Sequence, residues 1–335
     1  MAAPLVSVLL PARDAGATLG VSLRSIQRQR HTDWECVVVD DGSRDDTLAR
    51  AREMAAADTR FVVVATPARG LVAALNAGLA RCRGALVARM DADDVMHRDR
   101  LAAQVQALAH APGLWGVGTH VRIFPRAQLA AGWRAYERWV NGIDSAARVR
   151  VEAFVECPVV HPTLMLRRSA LVELGYRDVG WPEDYDLILR ALARGLEIGI
   201  VPRRLLAWRD GARRLSRTGA AYARPRFAEI KAAFLAEQFL ASTDRYVLWG
   251  YGGTGRALRR ALQAHGKRAT HVIEVHPGRL GNTIHGAPVL PPDVLRSLAP
   301  LPVVVSVARS GPRARIRAAM AAMGFRETRD FVCAA

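Results

Sequence analysis

The chain has 335 residues, half of them hydrophobic, which is length enough for about two domains with sizeable cores. Its formal net charge of +17 comes mostly from arginine spread along the whole sequence, with no zinc-finger spacing, basic zipper or aromatic RNA-binding signature, so nucleic acid is not an expected partner. The expectation is instead a basic surface that meets the phosphates of a small substrate or an anionic membrane leaflet, with an arginine-favouring genome as the plain alternative.

Val6-Ser7-Val8-Leu9-Leu10 reads as a first strand that Pro11 stops, followed by a loop to Gly16. Thr18 stands where it could cap a helix bearing Leu19, Leu23 and Ile26 on one face. Trp34 to Val39 is a second strand ending in Asp40-Asp41-Gly42-Ser43, with a helix from about Asp45. Phe61 to Val64 is a third strand, a helix from about Gly70 to Arg81 carries Asn76, and Leu86 to Met90 is a fourth strand. Strands alternating with helices in this way predict a parallel sheet with helices on both faces. Ligands of such sheets sit at the carboxyl ends of the strands, where Pro11, Asp41 and Asp93 fall.

The fourth strand runs into Asp91-Ala92-Asp93-Asp94. Carboxylates gathered there repel one another by a few kcal/mol at an effective dielectric of about 20, and a divalent cation would offset that cost. A solvated turn that caps the next helix is the competing reading of a lone D-x-D. Asp40-Asp41-Gly42-Ser43 could likewise be a turn and cap, or could present a carboxylate to a base N–H.

Farther on, a helix is expected over 101–108 and a strand over 113–124. Trp133, Tyr136 and Trp139 have helix-like spacing and read as packing rather than as a ligand platform. Cys157 to Arg167 is strand-like but interrupted by Pro158 and Pro162, which places it at an edge or a bend, with His161 either facing substrate or structural. Pro182, Glu183 and Asp184 open a helix, where acids complement the dipole, or where one carboxylate serves as a general base. The basic run 203–217 could clamp a diphosphate or simply face solvent.

Taken in order, Val6 to Asp14, Ser22 to Gln29, Val37 to Thr47, Gly70 to Gly78, Asp91 to Asp94, His161-Pro162-Thr163 and Glu183 to Leu187 resemble a family 2 glycosyltransferase with the GT-A nucleotide-diphospho-sugar fold. The resemblance covers about residues 4 to 240 and implies a mixed, mostly parallel α/β sheet between helices. It implies inverting transfer of a sugar, from a UDP-sugar first of all, to a sugar, glycan or glycolipid hydroxyl in cell-surface polysaccharide or glycolipid synthesis. Pro11, Arg13, Asp41, Arg69, Asp91, Arg209 and Arg213 would bind the donor, with Asp93 and Asp91 holding Mn or Mg. Asp184 would be the general base, with Glu183 competing for that role. Two departures stand out: Asp14 replaces the usual Asn, and no histidine follows Trp208-Arg209 to serve as a further metal ligand.

The boundary is expected at 241/242, with residues 1–241 the transferase domain and 242–335 a small Rossmann-like unit. There, Gly250, Gly252 and Gly255 form G-x-G-x-x-G between a strand and a helix, and Glu274 ends the next strand, which is the context of a dinucleotide site. A structural or dimerising module is the favoured reading of that unit, which leaves room for a homo-oligomer. The alternatives for the whole chain are a regulatory or scaffold protein with a degenerate transferase site, and a sugar nucleotidyltransferase, which Pro11 to Gly16 does not resemble. The four isolated cysteines, Cys36, Cys82, Cys157 and Cys333, show no paired spacing, and neither a signal peptide nor a membrane span is apparent. A cytoplasmic protein is expected, with the inner membrane face open to it.

Overall fold

The computed structural model describes residues 6–127, 129–211 and 214–335. Among them the chain divides into two compact units, one of Met1–Val149, Pro158–Val179 and Glu183–Arg214, the other of Arg150–Cys157, Gly180–Pro182 and Leu215–Ala335.

The first unit is built on a sheet of β1 (Val6–Ala12), β2 (Trp34–Asp41), β3 (Phe61–Thr66), β4 (Leu86–Arg89), β5 (Val95–Met96), β6 (Leu114–Phe124), β7 (Met165–Arg167) and β8 (Glu197–Arg209). Their order is β3-β2-β1-β4-β7-β6-β8-β5. The first four strands are parallel, β7 is antiparallel to both β4 and β6, β8 is parallel to β6, and β5 is antiparallel to β8. Both faces of β1 and β2 are buried, which is why they read as unbroken apolar runs rather than alternating ones. The helices are α1 (Gly16–Gln27), α2 (Thr47–Ala57), α3 (Leu71–Leu79), α4 (Arg100–His110), α5 (Ala131–Val140), α6 (Ala146–Glu152), α7 (Arg168–Leu174) and α8 (Glu183–Ala193). Helix α3 lies close on the sheet at Gly78, where a Cβ would stand 2.4 Å from Leu9 Cδ1 and 2.6 Å from Val39 Cγ2.

Two local expectations are corrected and a third, left between two alternatives, is resolved. Pro11 does not stop β1, which runs on to Ala12. The Leu9 carbonyl accepts from Met90 N–H, so by the two-residue alternation Pro11 faces the β4 side, beyond the end of β4, where no ladder bond is lost. Thr18 does not cap α1, which starts two residues earlier. Its first amides are met from another loop: Ala15 N–H donates to Thr47 Oγ1 at 2.7 Å and Gly16 N–H to Asp45 Oδ2 at 2.9 Å. Of the edge or bend expected after Cys157, the bend is found: Pro158 and Pro162 lie in it ahead of β7, which pairs on both sides, so they cost the ladder nothing.

The second unit contains α9 (Leu215–Thr218), α10 (Arg224–Glu237), α11 (Gly253–Ala264) and α12 (Ser310–Ala322). Its strands are β9 (Arg245–Trp249), β10 (Arg268–Ile273), β11 (Thr283–Ile284), β12 (Ala287–Leu290), β13 (Val303–Val305) and β14 (Phe331–Cys333), in the order β11-β12-β10-β9-β13-β14. All pairs are parallel except β11 with β12. The longest stretch of the unit starts at Leu215, ahead of residue 242, because Ala232 and Leu235 of α10 pack in one core with Tyr246, Leu248, Leu258 and Leu262. Residues 150–157 join it through polar anchors. Buried Lys231 donates to the Val155 carbonyl at 2.7 Å and to that of Ala334 at 3.2 Å, and Arg317 pairs with Glu152 at 2.8 Å.

Candidate active site

Past β4 the chain turns through Asp91-Ala92-Asp93-Asp94, and one oxygen from each of the three carboxylates lies within 4.8 Å of the others. Asp94 is 1 % exposed; its Oδ1 accepts from Arg209 N–H at 2.7 Å, while its Oδ2 is buried without a hydrogen-bond partner among the described residues. Burial raises the Asp93 and Asp94 carboxyl pKa values, and the charge of Asp91 raises both further. Hard carboxylate oxygens, mutual repulsion and an orphaned buried oxygen together fit a divalent cation such as Mn or Mg.

Cationic side chains surround this turn. Arg89, buried in β4, pairs with Asp91. Arg209 donates from Nε to the Asp93 carbonyl at 2.7 Å and lies over the Phe124 ring at 4.5 Å. Arg214 stacks at 4.1 Å on Trp208 and its charge acts on both Asp93 and Asp94. The sequence reading counted Arg214 in the basic run that could clamp a diphosphate but singled out only Arg209 and Arg213. Arg213 lies outside the described residues. Trp133, Tyr136 and Trp139 do pack, as expected, with Trp133 and Tyr136 on Trp208 at centroid distances of 5.8 and 6.0 Å.

The acid turn is fastened from α1. Ser22 Oγ donates to the Asp91 carbonyl at 3.0 Å, and Ser25 Oγ accepts from Met96 N–H at 3.0 Å. Gln29 accepts from Leu101 N–H at 3.0 Å and donates to the His97 carbonyl at 2.8 Å. Ser22 and Ser25 lie three residues apart on α1 and Gln29 stands just past its end, which accounts for these polar positions in the Ser22 to Gln29 motif. From beneath, fully buried Arg100 donates to the Arg89 carbonyl at 2.9 Å, and burial lowers its pKa to about 9. Gln104 orients that guanidinium at 2.9 Å and reaches the Thr163 carbonyl at 2.8 Å.

At the ends of β1 and β2, Pro11 and Asp41 are both buried. Asp41 accepts from Arg69 N–H at 2.8 Å and Gly70 N–H at 3.0 Å, and pairs with Arg13 at 3.4 Å, so Pro11, Arg13, Asp41 and Arg69 share one corner. The Asp41 oxygens are thus engaged by the turn that opens α3, and a base N–H would share them. Asp14 adopts φ +48°, a left-handed conformation that Asp tolerates as Asn does, and accepts from Arg44 N–H at 2.8 Å. The departure at this position therefore leaves the loop intact.

The helix α8 carboxylates separate by environment. Glu183 is buried with its Oε1 3.6 Å from His161 Nδ1, while His161 Nε2 is 3.2 Å from the Tyr176 hydroxyl. Burial and then Arg89 lower the His161 pKa, so the ring is neutral near pH 7. Tyr176 is itself held by Asn76, which donates to its carbonyl at 2.9 Å and accepts from its N–H at 3.1 Å. Asp186 is sealed between Arg177 at 2.6 Å and Arg190 at 2.6 Å. Asp184 alone among these acids is partly exposed, and its Oδ1 accepts from Tyr185 N–H at 2.7 Å. Arg89 acts on Asp91 and on Glu183, so the acid turn and the α8 terminus share one electrostatic neighbourhood.

In the second unit Gly250, Gly252 and Gly255 form the turn from β9 into α11, and Glu274 follows β10 beside it. Gly250 has φ +92° and no room for a side chain, since a Cβ would meet Val307 Cγ2 at 2.5 Å. A Cβ on Gly255 would lie 2.4 Å from the Gly250 carbonyl oxygen, which also accepts from Ser306 Oγ at 2.7 Å. Gly252 faces open space, and Glu274 pairs with Arg279 at 2.9 Å.

The family description glycosyl transferase family 2 matches residues 7–175. The putative glycosyltransferase EpsE of Bacillus subtilis is 32 % identical over 198 residues, which cover 57 % of this chain and 68 % of that protein. An Escherichia coli protein described as UDP-Glc:alpha-D-GlcNAc-diphosphoundecaprenol beta-1,3-glucosyltransferase, WfgD, is 30 % identical over 105 residues, covering 31 % of this chain and only 41 % of its own length. Among solved structures, the mannosyltransferase PcManGT from Pyrobaculum calidifontis, in complex with GDP-Man and Mn2+, superposes with a TM-score of 0.55 at 23 % identity, over 79 % of this chain and 70 % of that one. The mixed, mostly parallel architecture is the GT-A fold that the sequence motifs imply.

Proposed function

The chain belongs to glycosyl transferase family 2, and we propose that it is a metal-dependent, inverting hexosyltransferase. It moves a sugar from a nucleotide-diphospho-sugar to an acceptor hydroxyl. The observation that carries this reading is the Asp91-Asp93-Asp94 cluster, whose crowded carboxylates and orphaned Asp94 oxygen ask for a cation. PcManGT, a protein of the same fold, was solved with Mn2+, which supports Mn or Mg here. Asp93 and Asp91 would hold the ion. When bound, it neutralises charge that develops on the diphosphate as the sugar leaves.

The chain's own residues do the rest. Arg209 and Arg213 meet the diphosphate, joined by Arg214, whose stacking on Trp208 fixes its guanidinium. Pro11 and Asp41 lie against the base, Asp91 against the ribose or metal, and Arg13 and Arg69 flank the nucleotide. Asp184 takes the proton from the acceptor hydroxyl. Glu183 faces His161 and positions the start of α8, so its buried carboxylate is the weaker candidate for the base. A UDP-sugar is the first donor, and a glycolipid or polysaccharide the acceptor, in keeping with what the name of WfgD describes.

No described helix is long and apolar enough to cross a membrane. The basic surface would let a cytoplasmic enzyme touch the inner leaflet peripherally to reach a lipid-linked acceptor. For the second unit we favour a structural or assembling role over a nucleotide site. Packing explains Gly250 and Gly255, and Glu274 already has Arg279. The whole-chain alternative, a regulatory or scaffold protein with a degenerate site, is disfavoured by the presence of Asp41, Asp93 and Asp184 together.

The test is calorimetric titration of the full chain with UDP, GDP and dTDP, each with Mn and with EDTA. Metal-dependent binding of one nucleotide, lost in Asp93→Asn, supports the transferase and names the donor base. Binding of none of them, beside binding of NAD, moves the ligand site to the second unit and overturns the reading.

A further inference from the structure

Starting one residue past Asp94, at Val95, the lining of a cavity of about 800 Å³ in the first unit includes Arg28, Arg98, Arg122 and Arg204, with Met96 and Leu206 also in its wall. The four arginines come from separate places in the chain: Arg28 caps the C-terminus of α1, Arg98 follows β5, Arg122 is on β6 and Arg204 on β8. All four are exposed residues at the rim of a hollow whose wall includes buried Met96 and Leu206. Among the described residues no acidic one lines the cavity. Asp99, close in sequence, is occupied by Arg30 at 2.9 Å and by Arg203 at 3.5 Å, with His97 at 3.7 Å.

Arg28 has an ordinary explanation, since a cation is favoured at a helix C-terminus. The other three do not share it. Arg122 and Arg204 stand on the hydrogen-bonded neighbouring strands β6 and β8, opposite Ala207 and His120 respectively, so neither faces a carboxylate across the ladder. Guanidiniums gathered round one concave space, without carboxylates, form a field that an anion relieves, and their planar forks match phosphate oxygens bidentately. The apolar part of the wall suits a phosphate joined to a nonpolar group as well as a bare one.

We propose that this cavity binds a phosphate group through Arg28, Arg98, Arg122 and Arg204, either as a lipid headgroup or as a soluble phosphate compound. Asp91, Asp93 and Asp94 are not part of its lining, and the proposal does not depend on what sugar the chain transfers.

The experiment uses the full chain in EDTA with two probes. One is inorganic pyrophosphate, followed by calorimetry. The other is sedimentation with phosphatidylglycerol vesicles, compared with phosphatidylcholine. Arg122→Glu with Arg204→Glu is expected to weaken whichever probe the protein binds by about tenfold or more. Metal-dependent nucleotide binding stays as in the parent, which separates this site from the donor site. Loss against vesicles alone assigns a lipid headgroup; loss against pyrophosphate assigns a soluble ligand. Arg256→Glu with Arg260→Glu on α11 makes the same change in net charge elsewhere and is expected to leave binding within about twofold. If the parent binds neither probe, if the cavity variant binds like the parent, or if the α11 variant loses as much, the site does not exist.

Discussion

The turn after β4 and the turn after β9 look alike on paper: each leaves the carboxyl end of a parallel strand and each carries a motif with a known ligand chemistry. Their residues are nevertheless accounted for very differently. In the glycine turn, the folded chain itself explains the motif, through a positive φ at Gly250 and a 2.4 Å approach at Gly255. In the acid turn, folding makes matters worse, because it buries Asp94, crowds it against Asp91 and Asp93 and leaves an oxygen unpartnered. Packing accounts for Gly250 and Gly255, though not for Gly252, whereas it accounts for none of the crowding among the three acids.

Substitutions can break or sharpen this contrast. The largest effect is expected from Asp184→Asn, which should lower transfer by about two to four orders of magnitude while sparing donor binding, measured by steady-state rates beside calorimetry. Near-normal transfer by that variant would remove Asp184 from the base role and return Glu183 to it. Asp93→Asn should cost about a hundredfold or more in transfer and abolish metal-dependent nucleotide binding. Its thermal midpoint without metal should hold or rise, because a repulsive buried charge has gone; a clear fall would mean the acids stabilise the fold without a cation.

On the other side of the comparison, Gly255→Ala should destabilise the second unit by about 1–3 kcal/mol through overpacking, read from denaturant unfolding. Gly252→Ala, which meets nothing within 4 Å, should change stability by no more than about 0.5 kcal/mol. Should Gly252→Ala instead abolish binding of a dinucleotide that the parent binds, the packing account of the glycine turn is incomplete.

Much of the first unit was legible because its strands are apolar runs bounded by Gly, Pro and Asp, and because acids fall at strand ends. Asp91 and Asp93 come together as their spacing suggests, and His161 lies beside Glu183. What sequence could not show were bonds that cross the chain. The cap of α1 comes from Asp45 and Thr47, some thirty residues away in sequence, so Thr18 was the wrong candidate. Asn76 reaches Tyr176 across 100 residues, and no local pattern reports that. The start of the second unit was misjudged because α10 contributes to its core before the polar link that looks like a boundary. Sequence could not report that Glu183 is buried while Asp184 is partly exposed, the difference on which the ranking of the two as candidate bases now leans.

The side chains of Ser22, Ser25 and Gln29 bind backbone groups from Asp91 through Leu101. The acid turn is therefore a loop in its connectivity but belongs cooperatively to α1. The Met96 amide points at Ser25 of α1 and the Leu101 amide at Gln29 just past its end, so their exchange with solvent deuterium requires that helix and the residues after it to lift away. The turn and the helix should open as one foldon, with one protection factor. A lesion in the middle of α1, distant in sequence from every acid, would then disarm the site by raising the population of an open state rather than by touching the chemistry.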